Sequence, residues 1–261
     1  MNGLNGKRAL VCGSTQGIGR ATAERLAQEG VELILMARNG VKLKEVCEGL
    51  STEAGQNHSF LVADFSDPES TINGLSELLN ESQPIHILIN NAGGPSPGPI
   101  VDAGLNAFAE AFTIHVLTSQ ALVKALVAGM KDAGYGRVVN IISTSVKQPI
   151  PNLGVSNTIR GAMASWSKTM SRELAPYGIT VNNVLPGFTK TERLERIIEL
   201  KSVTAGIPPD QMGERMMRDV PARRFAEASE VAAAVTFLCS DDASYINGIN
   251  LPVDGGRTSS L

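Results

Sequence analysis

The chain has 261 residues, 43 % apolar and 19 % charged, with a formal net charge of −3. This composition supports a large buried core and excludes a disordered chain, and the small net charge leaves no footprint of nucleic-acid binding. Three well-separated cysteines, Cys12, Cys47 and Cys239, lie in apolar stretches, without metal-ligand spacing or an even-numbered disulfide frame. That pattern reads as buried, reduced thiols of a cytoplasmic protein with no metal centre. Lys7 and Arg8 precede an apolar run that stops at Gly13, too short for a secretory segment. No apolar stretch approaches the ~20 residues a bilayer requires, so no membrane partner is expected.

From the N-terminus, Arg8–Cys12 (RALVC) predicts a strand, followed by turn glycines and a helix carrying Ile18, Ala21, Ala23, Leu26 and Ala27, with Gly30 at its C′ position. Val31–Ala37 (VELILMA) is almost wholly apolar, as a parallel strand covered on both faces should be. Leu43, Val46, Cys47 and Leu50 form the stripe of a second helix. Ser59–Ala63 reads as a third strand, and Asp67-Pro68 offers a cap and a first-turn proline for a helix with Ile72, Leu75, Leu78 and Leu79 on one face.

The alternation continues through the strand Ile85–Asn90, one long helix from about Leu105 to Met130, and the strand Arg137–Ile142. A helix then runs to about Glu173, before the strand Ile179–Val184, a helix over Ser229–Cys239 and a closing strand Gly248–Val253. Six or seven strands alternating with helices predict right-handed βαβ crossovers and a Rossmann-type α/β fold with a doubly wound parallel sheet. No repeat or linker interrupts the chain, so residues 1–261 read as a single domain. Its one long excursion spans about 188–221.

The first strand leads into Gly13-Ser14-Thr15-Gln16-Gly17-Ile18-Gly19 and then a helix. Glycines at 13, 17 and 19 let the turn tighten and bring backbone amides to a pyrophosphate at the positive end of that helix. In a βαβ series this is the setting of a dinucleotide fingerprint. The second strand ends in Met36-Ala37-Arg38-Asn39, with no carboxylate for a ribose 2′-hydroxyl. Arg38 can grip a 2′-phosphate, which favours NADP (NADPH) over NAD, although an arginine here also suits a solvated loop.

With these motifs, ADFSD around Asp64, NNAG at Asn90–Gly93, RVVNIIS, LPG at Pro186-Gly187 and INGINLPVDGG near the end, the chain resembles a short-chain dehydrogenase/reductase along essentially its whole length, and is similar to bacterial 3-oxoacyl-carrier-protein reductases. The resemblance implies that Asp64 and Phe65 meet the adenine. Asn90, Asn91, Ala92 and Gly93 would line the floor beneath the adenosine ribose and pin the central sheet. Pro186, Gly187 and Thr189 would lie beside the nicotinamide, and Thr191 near its carboxamide or the phosphates. Asn90 and Pro186 equally suit purely structural roles, and Asp67 suits a helix cap. A homotetramer or homodimer is also implied.

Family members reduce a carbonyl with a Tyr-x3-Lys pair, a serine thirteen residues before the tyrosine and an asparagine on the preceding long helix. By register, Ser143 matches the serine, but Ser156 stands at the tyrosine position, Arg160 at the lysine position and His115 at the asparagine position. None of Tyr135, Tyr177 and Tyr245 is followed by a lysine four residues on, and the family places Tyr135 and Tyr177 in surface turns. A serine is a far weaker acid than a phenol, and arginine does not deprotonate near neutrality. Arg160 can still hold ribose hydroxyls, and His115 fits either a relay through Ser143 or water, or simple packing on its helix. Lys147, four residues after Ser143, suits either a solvated loop or the substrate border.

The resemblance assigns the 188–221 excursion to a substrate lid. Leu194, Ile197, Ile198 and Leu200 with Met212, Met216 and Met217 would give it an apolar inner surface, or simply pack its helices or a subunit contact. Two functional readings follow. One is an NADP-dependent oxidoreductase acting on a small-molecule carbonyl or alcohol through an atypical site of Ser143, Ser156, Arg160 and His115. The alternative is a weak or inactive NADP(H)-binding sensor or assembly partner.

Overall fold

The computed structural model describes residues 3–79 and 84–260. The elements in chain order are β1 (Arg8–Cys12), α1 (Gly17–Gln28), β2 (Glu32–Ala37), α2 (Gly40–Glu48), β3 (Ser59–Val62), α3 (Pro68–Leu79), β4 (Ile87–Asn90), α4 (Leu105–Phe112), α5 (Thr118–Asp132), β5 (Gly136–Ile141), α6 (Gly154–Leu174), β6 (Ile179–Pro186), α7 (Glu192–Ala205), α8 (Pro209–Arg218), α9 (Ala228–Cys239) and β7 (Asn250–Val253). They build a seven-stranded sheet in the order β3-β2-β1-β4-β5-β6-β7, every pairing parallel. The expected doubly wound fold is therefore present.

Both faces of the central strands are apolar because helices cover both. In β1, Ala9 and Val11 join the core beneath α1, α2 and α9. The alternate residues Leu10 and Cys12 join Leu75, Leu122, Leu126 and Met130 on the other face. This two-residue alternation explains why RALVC and VELILMA read as unbroken apolar runs. Local signals hold where they were expected: Gly30 adopts φ +84° after α1, and Asp67 Oδ1 accepts from the Ser70 amide at 3.0 Å at the start of α3.

Buried polar residues inside the strands form an asparagine ladder. Asn90, Asn140, Asn183 and Asn250 stand in register on β4, β5, β6 and β7. Asn90 Nδ2 donates to Asn140 Oδ1 at 2.8 Å, Asn140 Nδ2 to Asn183 Oδ1 at 3.0 Å, and Asn183 Nδ2 to Asn250 Oδ1 at 2.8 Å. Ser167 of α6 closes the network by accepting from Asn140 Nδ2 at 2.9 Å and donating to Asn183 Oδ1 at 2.7 Å. A buried amide without partners would be costly, so the residues are satisfied as a set.

Several expectations are corrected. The long helix expected from Leu105 to about Met130 is present as the continuous span Leu105–Asp132, with an unforeseen π-helical turn inside it at Thr113–Leu117, where Thr118 Oγ1 donates back to Thr113 O at 3.0 Å and across to Phe65 O at 2.7 Å. The whole span Leu105–Asp132 is 28 residues long and apolar enough, by length and composition, to cross a membrane. No such stretch was expected, because its scattered polar residues hide the overall apolarity. In this fold the span packs on the sheet and α6, with Ala111 and Val116 in one core and Leu122 and Leu126 in another. Cys12 and Cys239 are buried free thiols, whereas Cys47 is only half-buried.

Tyr135 is not at the surface. It is 8 % exposed, its hydroxyl donates to Cys239 O, and Lys7 and Arg137 lie 4.1 Å from its ring centre. The two cations hold the ring in the core beside β5. Tyr177 is exposed, as is Tyr245.

In the 188–221 excursion, Leu194, Met212 and Met216 pack with Phe225, and Ile197, Ile198 and Met217 join them. These residues therefore pack α7 and α8 together, while Leu200 is 55 % exposed. Helical spacing decides this outcome, since it directs one stripe of each helix at its neighbour.

Candidate active site

The strand order reverses on either side of β1, which pairs with both β2 and β4. The crevice at the carboxyl ends of these strands is where open α/β sheets bind ligands. The glycine turn lies at its centre. A Cβ on Gly13 would stand 2.3 Å from Asn91 O, and one on Gly19 would stand 2.1 Å from Gly13 O, so these two glycines permit close packing. Asn91 Nδ2 clamps the same turn by donating to Cys12 O at 3.3 Å and Gly13 O at 3.2 Å. Gly17 serves conformation, at φ +55°.

The turn suits an anionic ligand. Gln16, the residue preceding α1, makes no side-chain capping bond to the helix amides. The Ser14 hydroxyl is buried without a hydrogen-bond partner. Thr15 and Ile18 are half-buried, Gln16 is exposed, and a Cβ on Gly93 would meet nothing within 4 Å. Orphan amides at a helix start, an unsatisfied hydroxyl and open space above a glycine are what a pyrophosphate-bearing dinucleotide would use.

Arg38 is exposed just beyond β2. Asp64 Oδ1 accepts from the Ser66 amide and hydroxyl, both at 2.9 Å. These bonds chiefly, with the positive charge of Arg38 nearby, hold its carboxyl below the usual range. Thr189, buried, and Thr191, half-buried, follow Pro186-Gly187 at the end of β6. Thr191 caps α7 by accepting from the Leu194 amide at 3.4 Å, and its methyl group would lie 3.0 Å from a Cβ on Gly17. The second glycine-to-threonine approach thus ties the start of α7 to the glycine turn. Gly187 is required because a Cβ there would stand 2.6 Å from Asp254 Cα.

On the β5 side, Ser143 is half-buried and its Oγ accepts from the Ser145 amide at 3.1 Å. Ser156 and Arg160 occupy successive turns on the buried face of α6. Arg160 Nη1 donates to Ile141 O at 3.0 Å and Nη2 to Ala92 O at 3.5 Å, so its guanidinium spans the ends of β5 and β4. Burial, with the charge of Arg193 second, pushes its pKa down to about 10. His115, in the π turn, is 5 % exposed. Burial first, then the charge of Arg160, depress its pKa to about 3, against an opposing hydrogen bond with the Gly93 backbone. It is therefore a neutral imidazole at pH 7.

His115, Arg160, Phe65 and Asn90 to Ala92 line one cavity of about 20 Å³, the size of a single water. Ser143 and Ser156 are not on its wall. The three tyrosines lie at the other end of the sheet: Tyr135 precedes β5, Tyr177 precedes β6 and Tyr245 precedes β7. Of the asparagine ladder only Asn90 was read as pinning the sheet; Asn140, Asn183 and Asn250 were missed, although legible as polar residues inside apolar strands. Arg193 on α7, whose Nη1 donates to Gly94 O at 3.4 Å, offered no local signal.

The profile of the family described as Enoyl-(Acyl carrier protein) reductase matches residues 13–258. The chain belongs to the short-chain dehydrogenase/reductase family. It is 34 % identical over 255 residues to the 3-oxoacyl-[acyl-carrier-protein] reductase FabG of Haemophilus influenzae, covering 97 % of this chain and 98 % of that one. It is 29 % identical over 259 residues to the NADPH-dependent reductase BacG of Bacillus subtilis, covering 99 % and 100 %. Among solved structures, L-sorbose reductase from Gluconobacter frateurii, complexed with NADPH and L-sorbose, superposes with a TM-score of 0.92 at 29 % identity, covering 98 % of each chain. As a member of this family, the chain is related over almost its full length to oxidoreductases.

Proposed function

We propose that this protein is an NADP-dependent oxidoreductase of small carbonyl or alcohol compounds, working through an atypical catalytic site in which Ser156 and Arg160 replace the family's tyrosine and lysine. The observation that carries the reading is the placement of Arg160 and His115 around a water-sized cavity at the carboxyl end of the sheet. The bound dinucleotide would supply the hydride. Gly13 to Gly19, with the Ser14 hydroxyl, would hold its pyrophosphate, Arg38 its 2′-phosphate, and Asp64 and Phe65 its adenine. Asn91, Ala92, Gly93, Pro186, Gly187, Thr189 and Thr191 would complete the cleft. The names of two relatives, an NADPH-dependent reductase and a reductase complexed with NADPH, support NADP.

In this reading Ser143 orients the substrate oxygen, and Arg160 supplies a fixed positive charge against which negative charge on that oxygen is stabilised. Neutral His115 would hold a hydrogen-bonded water that gives its own proton to that oxygen, the hydroxide left behind being reprotonated from solvent. Ser156, shorter than a phenol, leaves room for substrate. The 188–221 excursion acts as the lid of a single domain. Ile100, Val101, Leu105, Phe112 and Leu117 are exposed apolar residues around α4, which supports a homodimer or homotetramer, and the buried thiols Cys12 and Cys239 support a cytoplasmic setting.

The test is NADPH titration followed by turnover over a panel of carbonyls and alcohols. The expected result is substrate-coupled NADPH oxidation that falls at least about 100-fold in His115→Ala and Arg160→Ala. Tight NADPH binding without turnover of any compound would transfer the assignment to a nucleotide-binding sensor or assembly partner.

A further inference from the structure

Three cationic or ionisable groups converge on the substrate side of the cleft. Arg193, in the first turn of α7, lays its guanidinium on Gly94: a Cβ there would stand 2.6 Å from Nη2 and 2.9 Å from Nη1. Nη1 also donates to Gly94 O at 3.4 Å. The residue is exposed, although desolvation of its head group lowers its pKa. Arg160 and His115 both feel its positive charge, and His115 feels that of Arg160. Among the described residues, neither Arg160 nor Arg193 forms an ion pair with a carboxylate; their hydrogen-bond partners are the backbone carbonyls of Ile141, Ala92 and Gly94.

Desolvated cations are ordinarily paired. Two arginines held near one another with no anion between them mark a position for an anion that is not part of the chain. Thr191, the cap of α7, is the residue that approaches Gly17, whereas Arg193 lies on Gly94, two residues from the Ala92 carbonyl that Arg160 holds. Its planar fork is matched to a carboxylate. Resting on the reductase reading above, we infer that Arg193, backed by Arg160, binds a carboxylate on the substrate, so that the substrate class is the oxo- or hydroxy-carboxylic acids. Arg160 is already committed to Ile141 O and Ala92 O, which leaves Arg193 as the group that makes the bidentate contact.

The probes are acetoacetate and levulinate, each against its own methyl ester, titrated by calorimetry into the protein with and without saturating NADP+, using wild type, Arg193→Met and Arg193→Lys. Wild type should bind at least one acid about tenfold or more tighter than its ester. The preference should vanish in Arg193→Met and persist in weakened form in Arg193→Lys, while NADP+ affinity stays within about twofold and shows that the variants are folded. Equal binding of acid and ester, binding of neither, or a preference that survives Arg193→Met would overturn the inference. So would a tenfold loss of NADP+ affinity in Arg193→Met with the acid preference intact, because it assigns Arg193 to the dinucleotide phosphates. Acid preference without turnover would support this subsite while removing the reductase reading, so the two fail separately.

Discussion

Arg160 and Ile141 are joined by a hydrogen bond of 3.0 Å from guanidinium to backbone carbonyl, and the same side chain reaches Ala92 O at 3.5 Å. A group read from the sequence as a ligand contact thereby also fastens the ends of two neighbouring strands. Arg160→Ala leaves buried carbonyls without a donor and should lower unfolding free energy by about 1–3 kcal/mol. Arg160→Lys, with a single ammonium in place of the fork, should recover part of that loss. Urea denaturation of the three proteins checks both.

His115 makes stability depend on pH. Its folded pKa of about 3 lies below the ordinary imidazole value of 6.5, so the unfolded chain binds the extra proton. The stabilisation is present above pH 6.5 and is lost as pH falls from there toward 3. The slope approaches about 1.4 kcal/mol per pH unit inside that window. The wild-type minus His115→Asn difference, measured from pH 8 to about 4 by denaturant unfolding, should be flat above neutrality and decline below it.

The asparagine ladder should be intolerant of single losses. Asn140→Ala removes an acceptor from Asn90 and a donor from both Ser167 and Asn183. It should cost at least about 2 kcal/mol in chemical denaturation, because the partners stay buried and unpaired.

The glycines should separate packing from binding. Gly19→Ala drives a methyl into Gly13 O and should lower the melting temperature as well as NADPH affinity. Gly93→Ala meets open space in the protein and should leave the melting temperature unchanged while weakening NADPH binding. A calorimetric titration paired with a thermal melt reads both quantities.

Arg38 should set cofactor preference. Arg38→Glu should weaken NADPH about tenfold or more, through loss of the guanidinium and repulsion of the 2′-phosphate. NADH affinity should be unchanged or improved, as fluorescence titration with both dinucleotides would show.

Every strand and the helices that flank the sheet were legible because both carry local periodicity, with ends a few residues from expectation, as with β7 at Asn250–Val253, whereas α7 and α8 lie in the stretch read only as an excursion. The glycine turn was legible because its residues are contiguous. The π-helical turn inside the long helix at Thr113–Leu117 was not, since Thr118 bonds there to carbonyls of Thr113 and of the distant Phe65. Tyr135 was misread because its partners Lys7, Arg137 and Cys239 come from three separate segments.

The order of residues alone determined the alternation of strand and helix, the glycine turn, the arginine after β2 and the absence of Tyr-x3-Lys, because each is a property of neighbours along the chain. Tertiary structure decided which charges meet. Arg160, Arg193 and His115 lie on three different elements, and only the folding of α6, α7 and the π turn onto one sheet edge brings them together. Removal from water first, and the charge of Arg160 second, then depress the pKa of His115. Burial and through-space charge are set by distance in the fold, and spacing along the chain does not encode them.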